Sequence, residues 1–337
     1  MPKSSKATIR DVAVRAGVSH QTVSRVINGV ERVSPATRQK VEQAIAELGY
    51  RPNALAREMA LGRAHTLACL SPNLTDYTLA SIIEGATSEA YRHGYYLMSA
   101  SAPEEVTFAT LVDELVASRR TEGLIVINPY IDTRYQHVPA NVPVVFVGAR
   151  PRANAISSVM LDDEGAGRMA TQHLLDLGHR RIALLTGPLA EDCSCDRQTG
   201  YESALRAAGL TLDPDLILEG DWSASSGYSA IRHWLNSGIS FTALFAQNDR
   251  MAVGAMHALQ EAGLHVPQDV SVIGFDDMPL ASYFAPPLTT MRQDMLAIGM
   301  EAARLLIQGI EHPAKERSIV RIAAELVVRG STAKCRN

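Results

Sequence analysis

Three short helical patterns of apolar positions follow one another in the first fifty residues, and each has its own start or stop signal. The first opens on Thr8 and ends at Gly17, the second opens on Ser19, and the third runs from Ser34 to Gly49. Ser and Thr cap helix N-termini, whereas glycine ends helices because it adopts the left-handed conformation freely. The pattern predicts helix, glycine turn, helix and a third supporting helix, which is the helix-turn-helix plan.

The second predicted helix carries a polar face that suits the reading of DNA bases. Gln21 can hydrogen-bond adenine in two places, Arg25 can hold guanine, and His20 can reach an adjacent base edge. Short polar side chains suit phosphate oxygens, which position a protein on DNA without specifying sequence, and four are present: Ser19, Thr22, Ser24 and Asn28. A three-helix module for protein interaction shares the helix spacing and is the alternative.

From Thr66 onward, short and mostly apolar segments alternate with amphipathic helical patterns. The apolar segments are residues 66–70, 123–127, 144–147, 182–185, 243–246 and 270–273. Strands that are apolar on both faces belong to a sheet that is covered on both sides. Glycine ends several of the intervening helices, at Gly94, Gly178, Gly209 and Gly263. This order predicts a parallel α/β body, in which ligands bind beyond the carboxyl ends of the strands.

Charge is divided unevenly between these two parts. Residues 1–63 carry eleven Lys and Arg side chains against five Asp and Glu, although the whole chain has a formal net charge of −4. A basic head on an acidic body suggests a phosphate-binding module joined to something else, and a solvated charged face is the alternative. Four scattered cysteines and the lack of a long apolar run or leader give the expectation of a cytoplasmic chain without membrane association or cofactor.

Particular residues make the sequence recognisable. The runs Thr8-Ile-Arg-Asp-Val-Ala, Ala16-Gly-Val-Ser, Thr22-Val-Ser-Arg-Val-Ile-Asn and Gly49-Tyr-Arg-Pro-Asn-Ala resemble the LacI/GalR family of bacterial transcription regulators, and the similarity covers nearly the whole chain. The resemblance implies an N-terminal helix-turn-helix head and a periplasmic-binding-protein-like body of two parallel α/β subdomains, with an effector cleft between them. It also implies that His20, Gln21 and Arg25 occupy the base-reading positions.

The expected division of the chain has three parts. Residues 1–50 form the DNA-binding domain, residues 51–63 a hinge helix, and residues 64–337 the effector-binding and dimerisation domain, whose subdomains exchange the chain. The hinge is too short to be a stable isolated helix, so it needs a partner.

The hinge is expected to contact DNA through Asn53, Leu55 and Met59. In the resembled family this helix forms on DNA and inserts an apolar side chain into the minor groove, which kinks the operator. Met59 matches that position. Packing of Met59 within the paired hinges is the alternative.

Candidate effector residues lie in loops that follow the predicted strands. Arg, Asn and Asp side chains supply donors and acceptors for vicinal hydroxyls, and an indole face packs against a sugar ring. In the resembled family Arg197, Asn248 and Asp276 match effector-contacting positions, and the run around Trp222 is like that of lactose-type sensors. A sugar is therefore the favoured effector. Structural roles are the alternatives. Arg197 could form a salt bridge, Asp276 or its neighbour could form a turn or a helix cap, and Trp222 could simply pack in the protein.

Further candidates and one departure bear on the effector. Tyr77 and Asn128 are candidates from the other subdomain. Lactose-type sensors often have an acidic residue after the strand at 144–147, but Gly148-Ala149-Arg150 follows here, so a phosphorylated or acidic sugar that meets Arg150 or Arg197, or a non-sugar metabolite, is an alternative. Cys193-Ser-Cys195 is a weaker candidate for a metal or redox site, because no further ligand pair lies near it in sequence.

The sequence predicts a sequence-specific transcription regulator and not an enzyme. We find no catalytic set or phosphate-binding loop, and a sugar-binding transport protein would share the body but not the basic head. The resemblance implies a homodimer on a pseudo-palindromic operator in double-stranded DNA, with repression relieved by a small molecule; co-repression stays open. The tail lacks leucine heptads, so no coiled-coil tetramer is expected.

Overall fold

The chain divides into two compact units, Met1–His65 and Thr66–Asn337. The computed structural model describes residues 7–27, 33–50, 64–148, 150, 156–313 and 317–336. Of the helices within these ranges, none combines the length and the apolar character that crossing a lipid bilayer requires.

Within residues 7–27 and 33–50 the first unit forms three helices around a small apolar core. They are α1 (Ile9–Ala16), α2 (His20–Ile27) and α3 (Pro35–Leu48). At the start of α1, the Thr8 hydroxyl accepts the Asp11 N–H while the Asp11 carboxylate accepts the Thr8 N–H, which is a capping box. Gly17 has φ 67° and turns the chain from α1 into α2. The predicted order of helices is confirmed.

Among the described residues, the second unit forms two six-stranded sheets. The first sheet contains β1 (Thr66–Ser71), β2 (Tyr96–Ser101), β3 (Gly123–Ile127), β4 (Val144–Val147), β5 (Ser157–Leu161) and β11 (Ile319–Ile322), in the order β11-β5-β4-β3-β1-β2. The second contains β6 (Ile182–Thr186), β7 (Ile217–Glu219), β8 (Ala243–Ala246), β9 (Ser271–Asp276), β10 (Thr289–Arg292) and β12 (Glu325–Val327), in the order β12-β10-β9-β8-β6-β7. Neighbouring strands are parallel, except that β12 runs antiparallel to β10.

Helices cover both faces of each sheet. They are α4 (Tyr77–Arg92), α5 (Glu105–Ala117), α6 (Asp163–Asp176), α7 (Asp192–Ala207), α8 (Ala224–Asn236), α9 (Asp249–Glu261) and α10 (Met295–Glu311). In the first subdomain α5 packs on one face of the first sheet, and α4 and α10 pack on the other. In the second subdomain α6 and α7 cover one face of the second sheet, and α8 and α9 cover the other.

The chain passes between the two subdomains at three places. It leaves the first sheet after β5 and enters the second subdomain through α6. It returns after β10 through α10 and β11, and it crosses again between β11 and β12. Each subdomain is therefore built from separate stretches of sequence, as the resemblance implied.

All six predicted apolar strands are present, as β1, β3, β4, β6, β8 and β9. The four glycines that were predicted to end helices have positive φ, between 72° and 90°, which confirms that prediction. The sequence pattern missed the other strands of the described residues, which are β2, β5, β7, β10, β11 and β12. Strand β2 lies at the edge of the first sheet. Tyr96 and Met98 of β2 are exposed, so this strand lacks the apolar run that marks the central strands.

Helices α4 and α10 approach closely because each has a glycine at their contact. A Cβ atom on Gly299 of α10 would overlap the carbonyl oxygen of Ile82 in α4, and one on Gly85 of α4 would overlap the carbonyl oxygen of Leu296. Gly309, on the same helix as Gly299, has open space around its Cβ position. The two glycines of α10 therefore form a matched pair for testing this contact.

We predict that Gly299→Ala destabilises the second unit by about 1–3 kcal/mol, because backbone atoms must move to admit the methyl group. Gly309→Ala should be neutral or stabilising by at most about 1 kcal/mol, since alanine favours the helix. Urea unfolding followed by circular dichroism measures both. Equal midpoints for the two variants would show that the contact between α4 and α10 tolerates a methyl group.

Candidate functional site

Helix α2 presents the predicted base-reading side chains on its outer face. His20, Gln21 and Arg25 are exposed, whereas Val23 and Val26 of the same helix are buried in the core of the first unit. The apolar side chains fix the rotation of α2, so its polar face points to solvent. This is the arrangement in which a recognition helix enters a major groove.

The predicted phosphate contacts at the start of α2 are also its cap. The Ser19 hydroxyl accepts the Thr22 N–H at 3.1 Å and lies 2.9 Å from the Thr22 hydroxyl. Ser24 is half-buried. The remaining predicted DNA contacts, Asn28, Asn53, Leu55 and Met59, lie outside the described residues together with the hinge at 51–63.

A cavity of about 440 Å³ lies in the second unit at the carboxyl ends of strands from both sheets. Its wall is formed by segments that follow β1, β3, β6, β7, β8 and β10, and by the last residue of β9. This is the place where α/β folds bind ligands, and the volume falls in the range of small-molecule sites, about 300–1,000 Å³. Four of the six predicted effector residues line the cavity: Arg197, Trp222, Asn248 and Asp276.

Two hydrogen bonds and one aromatic ring hold the Arg197 guanidinium in place, and its Nη2 nitrogen remains for a ligand in the cavity. Arg197 is 5% exposed, its Nε donates to Asp163 Oδ1 at 2.7 Å, and its Nη1 donates to the carbonyl oxygen of Gln247 at 2.7 Å. Its guanidinium carbon lies 3.6 Å from the centroid of the Phe275 ring. Among the described residues Nη2 has no hydrogen-bond partner, so Arg197 takes part in a salt bridge and also offers a donor to a ligand.

Asp276 offers an acceptor on the same wall. Its Oδ1 accepts a hydrogen bond from Gln293 Nε2 at 2.5 Å, and Oδ2 has no partner among the described residues. Burial raises the pKa of Asp276 well above its ordinary value. Its backbone has φ 108°, a strained conformation of the kind that clusters at functional sites. The neighbouring Asp277 instead forms ion pairs with Arg292 and Arg329, so Asp277 has the structural role.

Trp222 and Asn248 form a connected part of the wall. The Trp222 indole N–H donates to Glu191 Oε2 at 3.1 Å, and a Cβ atom on Gly187 would overlap the indole ring. Asn248 caps α9 by accepting the Met251 N–H at 2.8 Å, and its Nδ2 donates to the Trp222 carbonyl oxygen at 3.0 Å. Asn248 therefore positions Trp222 in addition to facing the cavity.

Tyr77 and Asn128, the two candidates from the first subdomain, do not line the cavity. Tyr77 is the first residue of α4 and is 43% exposed. Asn128 is buried, where its Oδ1 accepts the Tyr130 N–H and an Arg134 N–H while its Nδ2 donates to Asp132. Asn128 thus shapes the loop after β3, and it is Tyr130 of that loop that reaches the cavity.

Sequence reasoning missed several cavity residues that the folded chain brings together. Asp76 caps α4 and also accepts a hydrogen bond from Arg250 Nη2 at 2.7 Å, so this ion pair joins the two subdomains at the cavity wall. Tyr130 pairs with Glu191 through an isolated antiparallel bridge, which links the loops after β3 and β6. The sequence signal for Asp76 was its position as an N-cap after an apolar strand, and that for Arg250 was its nearness to Asn248.

Arg150 does not line the cavity. Its backbone N–H donates to Asp192 at 3.1 Å, and its side chain forms an ion pair with Asp196. An anionic effector held by Arg150 therefore has no support in this structure.

The two cysteines of the weaker candidate site have separate contacts. Cys193 Sγ lies 3.9 Å from Glu191 Oε2, and Cys195 Sγ lies 3.3 Å from the Leu189 carbonyl oxygen. In the part of the chain that the structure describes, no group of three or more His, Cys, Asp or Glu side chains could hold a metal ion.

Comparison with known proteins covers both parts of the chain. Residues 8–53 match the family described as bacterial regulatory proteins, lacI family, and residues 171–332 match a periplasmic binding protein-like domain. A helix-turn-helix head together with a two-subdomain body and a cavity at the strand ends defines a class of protein, the DNA-binding regulators that carry a small-molecule sensor.

Similar proteins span nearly the whole chain. The HTH-type transcriptional repressor PurR of Vibrio atlanticus (strain LGP32) is 34% identical over 98% of this chain and 100% of its own. The ribose operon repressor of Escherichia coli (strain K12) is 36% identical over 96% and 99%. The crystal structure of the Lac repressor dimer bound to operator and the anti-inducer ONPF matches with a TM-score of 0.89 at 36% identity, over 98% of this chain and 100% of that one.

The chain belongs to the LacI family. The predicted fold class is confirmed, as is the predicted function of a DNA-binding transcription regulator under the control of a small molecule.

One buried carboxylate supports the loop that carries Asp276. Asp249, the first residue of α9, accepts hydrogen bonds from the Thr290 hydroxyl at 2.6 Å and from the Met278 N–H at 2.8 Å. Burial raises the pKa of Asp249 from its ordinary 3.8 to about 7. The folded chain therefore holds the Asp249 proton at pH values where the unfolded chain has lost it.

This shift predicts how Asp249→Asn changes the pH dependence of stability. The contribution of Asp249 is fully present below about pH 4 and is lost as the pH rises through 7, because the folded state binds more protons in that window. The variant should lack this loss, so its stability should fall less than that of the wild type between pH 4 and 7. Thermal melting at several pH values measures the slopes. Asp113→Asn, at an exposed position, is the control. A wild-type slope in Asp249→Asn would contradict the assignment.

Proposed function

We propose that this protein is a repressor that reads a pseudo-palindromic operator with His20, Gln21 and Arg25. The observation that supports it is the exposed polar face of α2 within a lacI-family head. Base-edge contacts specify sequence, whereas Ser19, Thr22 and Ser24 would position the helix on phosphates. Asn28, Asn53, Leu55 and Met59 remain predicted DNA contacts.

A regulator of bacterial transcription acts on the chromosome, so we propose a cytoplasmic protein that is not an enzyme.

We further propose that the effector is a sugar bound in the cavity beside Arg197, Trp222, Asn248 and Asp276. Arg197 Nη2 can donate to one hydroxyl of a sugar, and Asp276 Oδ2 can accept from an adjacent hydroxyl. The Trp222 indole in the cavity wall can pack against the apolar face of the sugar ring. The ribose operon repressor is among the relatives, which supports this class. The alternative that the sequence left open is a non-sugar metabolite that acts as a co-repressor.

The proposed control is a change in the relation between the two subdomains. A homodimer would hold two heads over the two half-sites, as in the Lac repressor dimer bound to operator. The chain crosses between the subdomains, and we propose that they rotate as bodies about these crossovers. The effector can shift DNA binding only by its difference in affinity for the two arrangements, typically about 1–3 kcal/mol. We propose that the sugar favours the arrangement that releases DNA.

The operator proposal predicts that Arg25→Ala relaxes specificity at one guanine position. Fragments selected from a random duplex library by the wild type should share one pseudo-palindrome, and loss of the arginine contact should cost about 1–3 kcal/mol at that base. Lys40→Ala, on an exposed part of α3, removes a charge from the same unit and should keep the selected sequence unchanged. Selection of the same guanine by Arg25→Ala would exclude this residue as its reader.

The effector proposal predicts that Gly187→Ala weakens effector binding from behind the cavity wall. The added methyl group must displace the Trp222 indole, so we expect about a tenfold higher effector concentration for half-release of the operator. Operator affinity without effector should stay unchanged. Ribose, glucose, galactose and lactose can be titrated against the operator complex, with Gly309→Ala as the control. If Gly187→Ala needs the same effector concentration for half-release of the operator as the wild type, Trp222 does not contact the effector.

A further inference from the structure

Building on the proposed function, we propose that the effector is an amine-bearing sugar or polyol, and that the Glu191 carboxylate binds its protonated amine. The inference concerns one side of the cavity, where Glu191 lies beside Trp222 and Tyr130. The hydroxyl-binding side, with Arg197 and Asp276, is unchanged by it.

The cavity wall is acidic even after its arginines are counted. Four carboxylates line it, namely Asp76, Glu191, Asp221 and Asp276, against the two arginines Arg197 and Arg250. Both arginines already have a carboxylate partner, because Arg197 is paired with Asp163 and Arg250 with Asp76. Among the described residues, Glu191 and Asp221 have no arginine in contact with their carboxylates, so this side of the cavity favours a cationic ligand over an anionic one.

Glu191 is held in place by backbone contacts on both sides. The Asp192 N–H donates to the Pro129 carbonyl oxygen at 3.0 Å, and the Ile131 N–H donates to the Ala190 carbonyl oxygen at 2.9 Å. These bonds clamp the segment that carries Glu191 against the loop after β3. The backbone of Glu191 is therefore fixed at the cavity, and the Trp222 indole N–H, which donates to Oε2, orients the carboxylate.

The Glu191 carboxylate has neutral donors and no cation in contact. Its Oε2 accepts from the Trp222 indole at 3.1 Å and lies 3.9 Å from Cys193 Sγ, while Oε1 has no partner among the described residues. Burial raises the pKa of Glu191, and the Trp222 hydrogen bond and the charge of Arg197 offset this effect only in part. A neutral hydroxyl can donate to Oε1, but a protonated amine both donates to Oε1 and offsets the desolvated charge, so the amine fits this position better than a hydroxyl does.

Calorimetric titration of the full-length protein with matched sugar sets tests this inference. Each set contains a neutral sugar and its amino, uronic acid and 6-phosphate forms, for glucose, galactose and mannose. We expect an amino sugar to bind at least about tenfold more tightly than its neutral parent, and the acids and phosphates to bind more weakly still. The inference is wrong if an anionic form binds most tightly, if parent and amine bind equally, or if no amino sugar binds.

The operator complex separates this inference from the proposed function. If a neutral sugar releases the operator and its amino form does so no better, the proposed function stands, and the inference that the effector carries an amine is wrong. If no sugar in any set binds or changes operator affinity, the sugar effector of the proposed function fails together with the inference.

The Glu191→Gln variant tests whether Glu191 causes the preference for an amino sugar over its neutral parent. Glutamine keeps an oxygen that can accept the Trp222 N–H but removes the charge. We expect affinity for the amine to fall by about tenfold or more, with affinity for the neutral parent changed less than about threefold. Glu219→Gln, which alters a nearby carboxylate outside the cavity wall, should change neither. Equal losses for amine and parent in Glu191→Gln would show that Glu191 only positions Trp222.

Discussion

The buried ion pair between Arg197 and Asp163 connects the parts of the sensor on which its function depends. Asp163 begins α6 directly after the chain has left the first sheet, and Arg197 projects from α7, which packs against α6. The same guanidinium lies on Phe275 of β9 and donates to the backbone after β8. Removal of one partner of a buried pair leaves a charge without compensation, at a cost of about 3–5 kcal/mol, so Arg197 holds the cavity wall as well as facing it.

This double role means that the polar groups at the cavity wall are already fixed by contacts within the protein. Two of the three Arg197 nitrogens are used within the protein, and the third remains for the ligand. The two carboxylate oxygens of Asp276 also differ in their contacts. Oδ1 accepts a hydrogen bond from Gln293, and Oδ2 remains for a ligand in the cavity. Groups that are already fixed lose little conformational freedom on binding, which favours affinity and discrimination between closely related hydroxyl compounds.

The sequence was sufficient for six of the inner strands, though not for β5 and β10, and for one side of the cavity. Apolar runs such as 123–127 mark strands that are buried on both faces, and glycines such as Gly178 mark helix ends, because both reflect local constraints. Strand β2 and the antiparallel β12 have no comparable run, since their places are decided by pairing with distant strands. The side of the cavity from the first subdomain was missed for the same reason. Asn128 is a hydrogen-bonding residue by type, but the fold directs it to Arg134, and Tyr130 reaches the cavity instead.

The crossovers between the subdomains also govern how the sensor is completed during synthesis. The first sheet receives its last strand, β11, at Ile319–Ile322, and the second receives β12 at Glu325–Val327. The first sheet is complete only after residue 322 has been made and the second only after residue 327, whereas the helices of the head lie within residues 9–48 and are made earlier. A nascent chain therefore has the residues of its DNA-reading helix well before it has a finished effector cavity.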